Sequence, residues 1–235
     1  MPTTAATIHV DIWSDVVCPW CYIGKRRFER AVDKLAGEVE IDYAFRAFQL
    51  DPTASMGKSQ PVAEAYAKKF GGPDRAREII ERVTSVAAEE GLEFRLDRAL
   101  RANTLLAHRL LWLAERPDSP VAQPALKERL LRAYFHDGLD IGDPDVLAAC
   151  AAEVGFDHDD VLAFLESDDG LQDVRADIEQ AIDYGISGVP AFVIDGRWSI
   201  PGAQDTDTFV NVFRQLKDRI TVESGPACED DICDV

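Results

Sequence analysis

The chain has 235 residues, with 43 acidic against 25 basic side chains and a formal charge of −18. At 46% hydrophobic and 29% charged it holds enough apolar material for a full core, which excludes a disordered chain. So acidic a balance repels nucleic acid and anionic lipid at long range, and charges cut every apolar run well short of the roughly 18 residues of a membrane span.

Thr7 to Trp13 is rich in β-branched residues and reads as a strand buried on both faces. Ser14-Asp15 is a turn, and Cys18-Pro19 opens a helix from about Cys21 to Ala36 that Gly37 stops. Glu40 to Phe48 alternates polar and apolar residues and reads as a second strand, so the segment forms a βαβ unit with parallel strands. From Gln60 to Tyr184 the apolar period is helical, as in Ala76-Ile79-Ile80-Val83 and Leu126-Leu130-Leu131-Tyr134, and Gly and Pro divide it into about seven helices. Ala191 to Ile194 is a short strand, Asp195-Gly196 a hairpin turn and Trp198 to Ile200 the returning strand. Thr206 to Ile220 closes the pattern as an amphipathic helix with Phe209, Val212, Phe213 and Leu216 on one face. The order βαβ, helical insertion, ββα predicts an α/β protein with a mixed four-stranded sheet. Its expected organisation is residues 7–59 and 185–220 as one α/β domain, 60–184 as an inserted helical domain, and 221–235 as a flexible acidic tail too poor in apolar surface to pack.

Five cysteines are too few to staple a chain of this length. Cys18/Cys21 and Cys228/Cys233 are spaced pairs, and Cys150 lies alone in a helical stretch as a small buried hydrophobe. The N-terminal residues lack the basic-then-apolar pattern of a secretory leader, so a cytoplasmic location is expected. In that reducing compartment, spaced thiols serve chemistry or metal rather than bracing. Cys18-Pro19-Trp20-Cys21 follows a predicted strand and opens a predicted helix. Unpaired amides and the positive end of the helix dipole favour a thiolate at Cys18, which can attack at neutral pH. Cys21, one turn further in, can close a disulfide and displace whatever Cys18 has bound. Pro19 suits the first turn because it has no N–H to leave unpaired. The competing reading is half of a zinc site completed by Cys228 and Cys233, against which the bulky Pro-Trp pair argues. His9, His108, His136 and His158 share no ligand spacing, and no metal is assigned. Far along the chain, Ser187-Gly188-Val189-Pro190 precedes the third main strand, where a proline is a candidate for a cis bond.

Taken together, Ser-Asp-x-x-Cys-Pro-Trp-Cys-Tyr (Ser14 to Tyr22), Phe45 to Pro52, Asn103 to Leu110, Ser187 to Val193 and Ser199 to Gln204 resemble the FrnE-type branch of the DsbA family, over about Ile8 to Ile220. The resemblance implies a thioredoxin-like fold with a helical domain inserted before the third strand. It also implies Cys18 as the exposed nucleophile, Cys21 as the resolving thiol, and Val189-cis-Pro190 facing them, with the Val189 backbone offering strand-like hydrogen bonds to an extended substrate. Trp20 stands where the best-known periplasmic members have a histidine, so a less oxidising couple is expected.

Around this centre, Asp15 is a turn or cap residue or a shuttle for the Cys21 proton. Lys25, Arg26 and Arg27 read as a solvated face or as mild support for the Cys18 thiolate. Trp13, Trp20, Tyr22 and Phe48 read as an apolar rim, and His108 as a structural hydrogen-bonding group. Cys228 and Cys233 are either incidental or a relay, since the segment from Ile220 to Cys228 reaches about 27 Å when extended. The function expected is that of a thiol–disulfide oxidoreductase, with disulfide isomerisation open to it. It needs no bound cofactor, exchanges electrons with a thiol reductant or oxidant, and acts on protein or small-molecule disulfides and thiols. The alternatives are a glutathione-dependent isomerase or transferase of the 2-hydroxychromene-2-carboxylate isomerase or kappa-class type, and a metal-binding or chaperone module.

Overall fold

The computed structural model describes residues 7–57 and 60–223. In chain order the elements are β1 (Thr7–Ser14), α1 (Pro19–Lys34), β2 (Glu40–Ala47), β3 (Gln60–Pro61), α2 (Val62–Phe70), α3 (Pro73–Glu89), β4 (Leu100–Arg101), α4 (Leu105–Glu115), α5 (Gln123–Arg132), a π-helical turn (Ala133–Asp137), α6 (Pro144–Val154), α7 (His158–Glu166), α8 (Leu171–Asp183), β5 (Ala191–Ile194), β6 (Trp198–Pro201) and α9 (Thr206–Glu223). The main sheet runs β2-β1-β5-β6, with β1 parallel to β2 and antiparallel to β5, and β6 antiparallel to β5. It is the mixed four-stranded sheet expected.

Three local readings change. β1 is buried on both faces only over Ile12, Trp13 and Ser14, because Thr7 and His9 at its open end face solvent. The first helix begins at Pro19, two residues before the expected Cys21, since proline fills the first helical position and leaves Cys18 as the extended cap residue. A two-residue antiparallel pair, Gln60 with Arg101 and Pro61 with Leu100, ties the start of the helical insertion to its middle. Pairing so short leaves no periodicity in the sequence.

Strand alternation sorts the sheet residues into two layers. Ile8, Val10, Ile12, Phe192 and Ile194 pack on Phe28, Ala31 and Leu35 of α1 and on Phe209 and Phe213 of α9. Phe28 centres this layer, with ring centroids 5.1 Å from Tyr43, 5.3 Å from Phe192 and 5.7 Å from Phe209. On the other face Trp13, Ala191 and Val193 pack against Ala181 of α8. The helical insertion has a larger core of its own, which takes in Val16 from the turn after β1 and Tyr22 and Ile23 from the start of α1.

α1 is therefore shared between the sheet and the insertion, and ion pairs hold it there. Glu128 of α5 accepts from Tyr22 (2.7 Å), Lys25 (2.6 Å) and Arg26 (2.8 Å). Glu90, just after α3, pairs with Arg27 and Arg30. The basic residues expected on a solvated face are thus the clamp between the two parts, and Lys25 is buried. Although burial pushes the Glu128 carboxyl up, Lys25 and its hydrogen bond bring it below the usual range, with Tyr22 and Arg26 adding to this.

At Gly24, α1 comes close to the segment leading into β5. A Cβ at this position would lie 2.9 Å from Pro190 Cγ and 3.3 Å from Ala203 Cβ. We expect Gly24→Ala to lower stability by about 1–3 kcal/mol, despite alanine's better helix propensity, because it overpacks this contact. Urea unfolding followed by circular dichroism measures the change.

Candidate active site

The turn after β1 delivers the two thiols. The Cys18 N–H donates to the Asp15 carbonyl (3.2 Å), and the Cys18 carbonyl accepts from the Cys21 N–H (3.0 Å), the first hydrogen bond of the helix. Cys18, Cys21 and Cys150 are free thiols. The Cys18 Sγ–H donates to the Val189 carbonyl at 3.5 Å, across the chain from the insertion's far end. The Val189–Pro190 peptide is cis, and the Pro190 carbonyl accepts from the Gly202 N–H (2.8 Å), which joins the segment to the turn after β6. Pro19 is buried, whereas Trp20 is 37% exposed and stands outside the pair.

Both cysteines are only 3% exposed, so Cys18 is not the exposed thiol that the resemblance implied, being covered from across the chain by the Val189 segment; their surroundings nevertheless differ. Burial pushes the Cys21 thiol well above its usual range, and the hydrogen bond and charge of Cys18 push it the same way. Lys127 and an Asp15 backbone hydrogen bond oppose them. Cys18 holds the helix-cap position beside a backbone acceptor, at the positive end of the helix dipole. The arrangement suits attack by the outer sulfur and resolution by the inner one.

Beneath the thiols lies a buried polar group of residues. Asp15 is fully buried: its Oδ2 accepts from the Leu50 N–H (2.8 Å) and its Oδ1 lies 3.3 Å from His108 Nε2 of α4. Lys127 of α5 is 1% exposed and its Nζ has no hydrogen-bond partner. Burial pulls its ammonium down to about 8, with the charges of Cys21, Asp15 and Cys18 working against the fall. Tyr66 of α2 completes the surround: burial, then the charge on Cys18, push its hydroxyl up to about 12.

The structure thus brings Cys18, Pro19, Trp20, Cys21, Asp15, Val189 and Pro190 into one place. The expected apolar rim is smaller than predicted. Trp13 is fully buried, with its indole N–H bonded to the Asp177 carbonyl (2.9 Å), and Tyr22 is buried against Glu128. Cys228 and Cys233 lie outside the described residues, as does most of the 221–235 segment. Lys127, Gly24 and Tyr66 were not singled out from sequence. Lys127 does leave a signal: with Leu130, Leu131 and Tyr134 it occupies one apolar stripe of the helix, where a lysine is out of place. A glycine inside a helical period, as at Gly24, is a similar mark of close approach.

Comparison with known proteins agrees with this architecture. Residues 9–214 match the DSBA-like thioredoxin domain, and the chain belongs to that family. It is 30% identical over 218 residues to the uncharacterized protein YwbO of Bacillus subtilis (strain 168), covering 86% of this chain and 94% of that one. It superimposes on the probable DsbA oxidoreductase SCO1869 of Streptomyces coelicolor with a TM-score of 0.81 at 33% identity, over 97% of this chain and 99% of that one. The fold extends to the cytosolic disulfide reductase DsbM of Pseudomonas aeruginosa, determined with GSH (TM-score 0.56, 19% identity, 92% of this chain and 98% of that one). The fold is accordingly the DsbA-like thioredoxin fold, and members of this family are thiol–disulfide oxidoreductases. Among the described residues no helix is long and apolar enough to cross a membrane, and no three His, Cys, Asp or Glu side chains stand together as a metal site.

An ammonium held dry without a partner costs stability, and an apolar chain of similar length removes that cost. We therefore expect Lys127→Met to raise the unfolding free energy at pH 7 by about 1–3 kcal/mol, the range in which replacement of buried charge by packed apolar groups has been found to stabilise. Thermal or urea unfolding of the reduced protein measures it.

Proposed function

We propose that the chain is a cytoplasmic thiol–disulfide oxidoreductase of the FrnE-type branch. The reaction runs through reversible formation of a Cys18–Cys21 disulfide, and disulfide isomerisation is a second outcome of the same chemistry. The observation that carries this reading is the placement of Cys18 at the cap of α1, its sulfur on the Val189 carbonyl, with Cys21 buried one turn behind it. Cys18 attacks a substrate disulfide, a mixed disulfide forms, and Cys21 attacks Cys18 to release the substrate thiol; run backwards, the same steps oxidise a dithiol. The electrons reside in the two sulfurs, so the proposal calls for no bound cofactor, only a thiol reductant or oxidant to reset the pair.

The substrates proposed are disulfides and thiols, and the exposed Ser187-Gly188 segment beside Val189 leaves backbone for an extended chain to pair with. The FrnE-type assignment rests on the motifs around Ser14 to Tyr22 and Ser187 to Val193. The cytoplasmic assignment draws support from the fold shared with DsbM, named as a cytosolic reductase. Trp20 in place of a histidine supports a couple less oxidising than that of the strongest oxidants in the family. A glutathione-dependent isomerase would have no use for a resolving thiol, and Cys21 favours the dithiol reading over it.

Substitution at the two thiols tests the reading. Cys21→Ser should accumulate a mixed disulfide on Cys18, seen by mass spectrometry under non-reducing conditions, while Cys18→Ser lowers disulfide-reduction turnover by about a thousandfold, as removal of a nucleophile does. Full turnover in Cys21→Ser, with no trapped adduct, contradicts the proposal and supports isomerase chemistry instead.

A further inference from the structure

Lys127 is a buried charged group for which the dithiol chemistry above has no role. Its Nζ is without a hydrogen-bond partner, and its direction is set from three sides. Gln123, one turn earlier on the same face of α5, binds the edge of β2: its Oε1 accepts from the Phe45 N–H (2.7 Å) and its Nε2 donates to the Phe45 carbonyl (3.0 Å). Phe45 then presents its ring to Lys127, 5.2 Å from Nζ to the centroid. Glu128, the next residue, is drawn to Lys25 and Arg26 of α1 and pins α5 against that helix. A lysine between those two anchors extends under the N-terminal turn of α1.

The ionisable groups that act on it there are Cys21, Cys18 and Lys25 from α1 and Asp15 from the turn after β1. His108 of α4 reaches the cluster through Asp15. Cys150 and Glu153 of α6 act on Arg129 of α5, and β2 presents the Phe45 ring. Asp15, a candidate from sequence for moving the Cys21 proton, has both carboxylate oxygens engaged, by Leu50 N–H and by His108. Burial disfavours a charged lysine and a charged thiol alike, pulling the Lys127 ammonium down and pushing the Cys21 thiol up, and the charge on each acts against the shift of the other.

We propose that Lys127 is the proton acceptor for Cys21 in the step that resolves the mixed disulfide. This inference rests on the dithiol reading above. The neutral Lys127 amine takes the Cys21 S–H proton, and the Cys21 thiolate attacks Cys18 Sγ. The Cys18–Cys21 bond forms as the Cys18–substrate S–S bond breaks, and the electron pair leaves on the substrate sulfur, which takes a proton from solvent. Cys18 and Cys21 are oxidised by two electrons, and the substrate disulfide, counting both half-reactions, is reduced by two. In the reverse direction the Lys127 ammonium returns its proton to Cys21 as the disulfide opens.

The test uses the full-length chain carrying Cys228→Ser and Cys233→Ser, reduced and mixed with 5,5′-dithiobis(2-nitrobenzoate) in a stopped-flow instrument. The first release of nitrothiobenzoate reports attack by Cys18, and the second reports resolution by Cys21. Adding Lys127→Met should slow the second phase by about a hundredfold at pH 7, the lower range for loss of a general base, and far more than the first. The second phase of the parent levels off in the mildly alkaline range, while that of the variant keeps rising about tenfold per pH unit, as it must when solvent alone takes the proton. A second phase with the parent's rate and pH profile, or equal slowing of both phases, overturns the role of Lys127. Absence of the first phase in the parent overturns the dithiol reading instead. Should the variant not fold, the titration of ¹³Cε-labelled Lys127 decides: its midpoint falls in Cys21→Ala if the two groups share a proton, and an unchanged midpoint overturns the proposal.

Discussion

The start of α1 lies against the segment before β5 with almost no space between them, and this contact governs the rest of the site. Gly24 permits it, since any side chain there would meet Pro190 and Ala203. The sulfur of Cys18 then falls on the Val189 carbonyl, and the chain immediately before β5 becomes one wall of the reaction centre. The sheet alone does not hold α1 in that place. Glu128 and Glu90 reach it from the insertion, and Arg27 donates to the Ala203 carbonyl (2.9 Å), so the insertion and the turn after β6 are fastened through one helix. Charged pairs of this kind gain little at an exposed surface, but here Lys25 is buried and Glu128 accepts from three donors at once.

A second constraint is electrostatic. The insertion carries a lysine into the dry space under the thiols, and burial moves Cys21 up and Lys127 down. The charge on each group acts on the other. Under the role proposed for Lys127, this links the two parts of the chain functionally: the α/β part supplies the sulfurs, and the helical part supplies the group that exchanges a proton with the inner one. Asp15 ties the same region to α4 and to the segment after β2 through His108 and Leu50.

Much of the architecture was legible in the sequence because it rests on local chemistry. β-branched runs, Gly and Pro punctuation and a helical period between Gln60 and Tyr184 yield the order of elements, and the Cys-x-x-Cys pair is placed by the strand before it and the helix after it. Proline at the first helical position shifts the start of α1 to Pro19, a detail its sequence preference already contained. What was not legible depends on partners distant in the chain. Lys25, Arg26 and Arg27 look like any solvated run of charge until Glu90 and Glu128 are seen opposite them. Trp13 looks like a rim aromatic until Asp177 supplies the acceptor that lets it be buried. Gly24 and Lys127 broke the local pattern of their helices, and in both cases the irregularity marks a contact that matters to the site.

In this reading Cys18 and Cys21 form one reversible two-electron couple. Equilibration of the protein across a range of thiol–disulfide buffers, followed by acid quenching, alkylation and mass spectrometry of the Cys18–Cys21 peptide, tests it most directly. A reversible couple interconverts dithiol and intramolecular disulfide with a single two-electron midpoint, expected to be more negative than about −120 mV, the value of the strongest oxidant in the family. A pair that never forms the internal disulfide, with Cys18 held instead as an adduct of the buffer thiol, would contradict it.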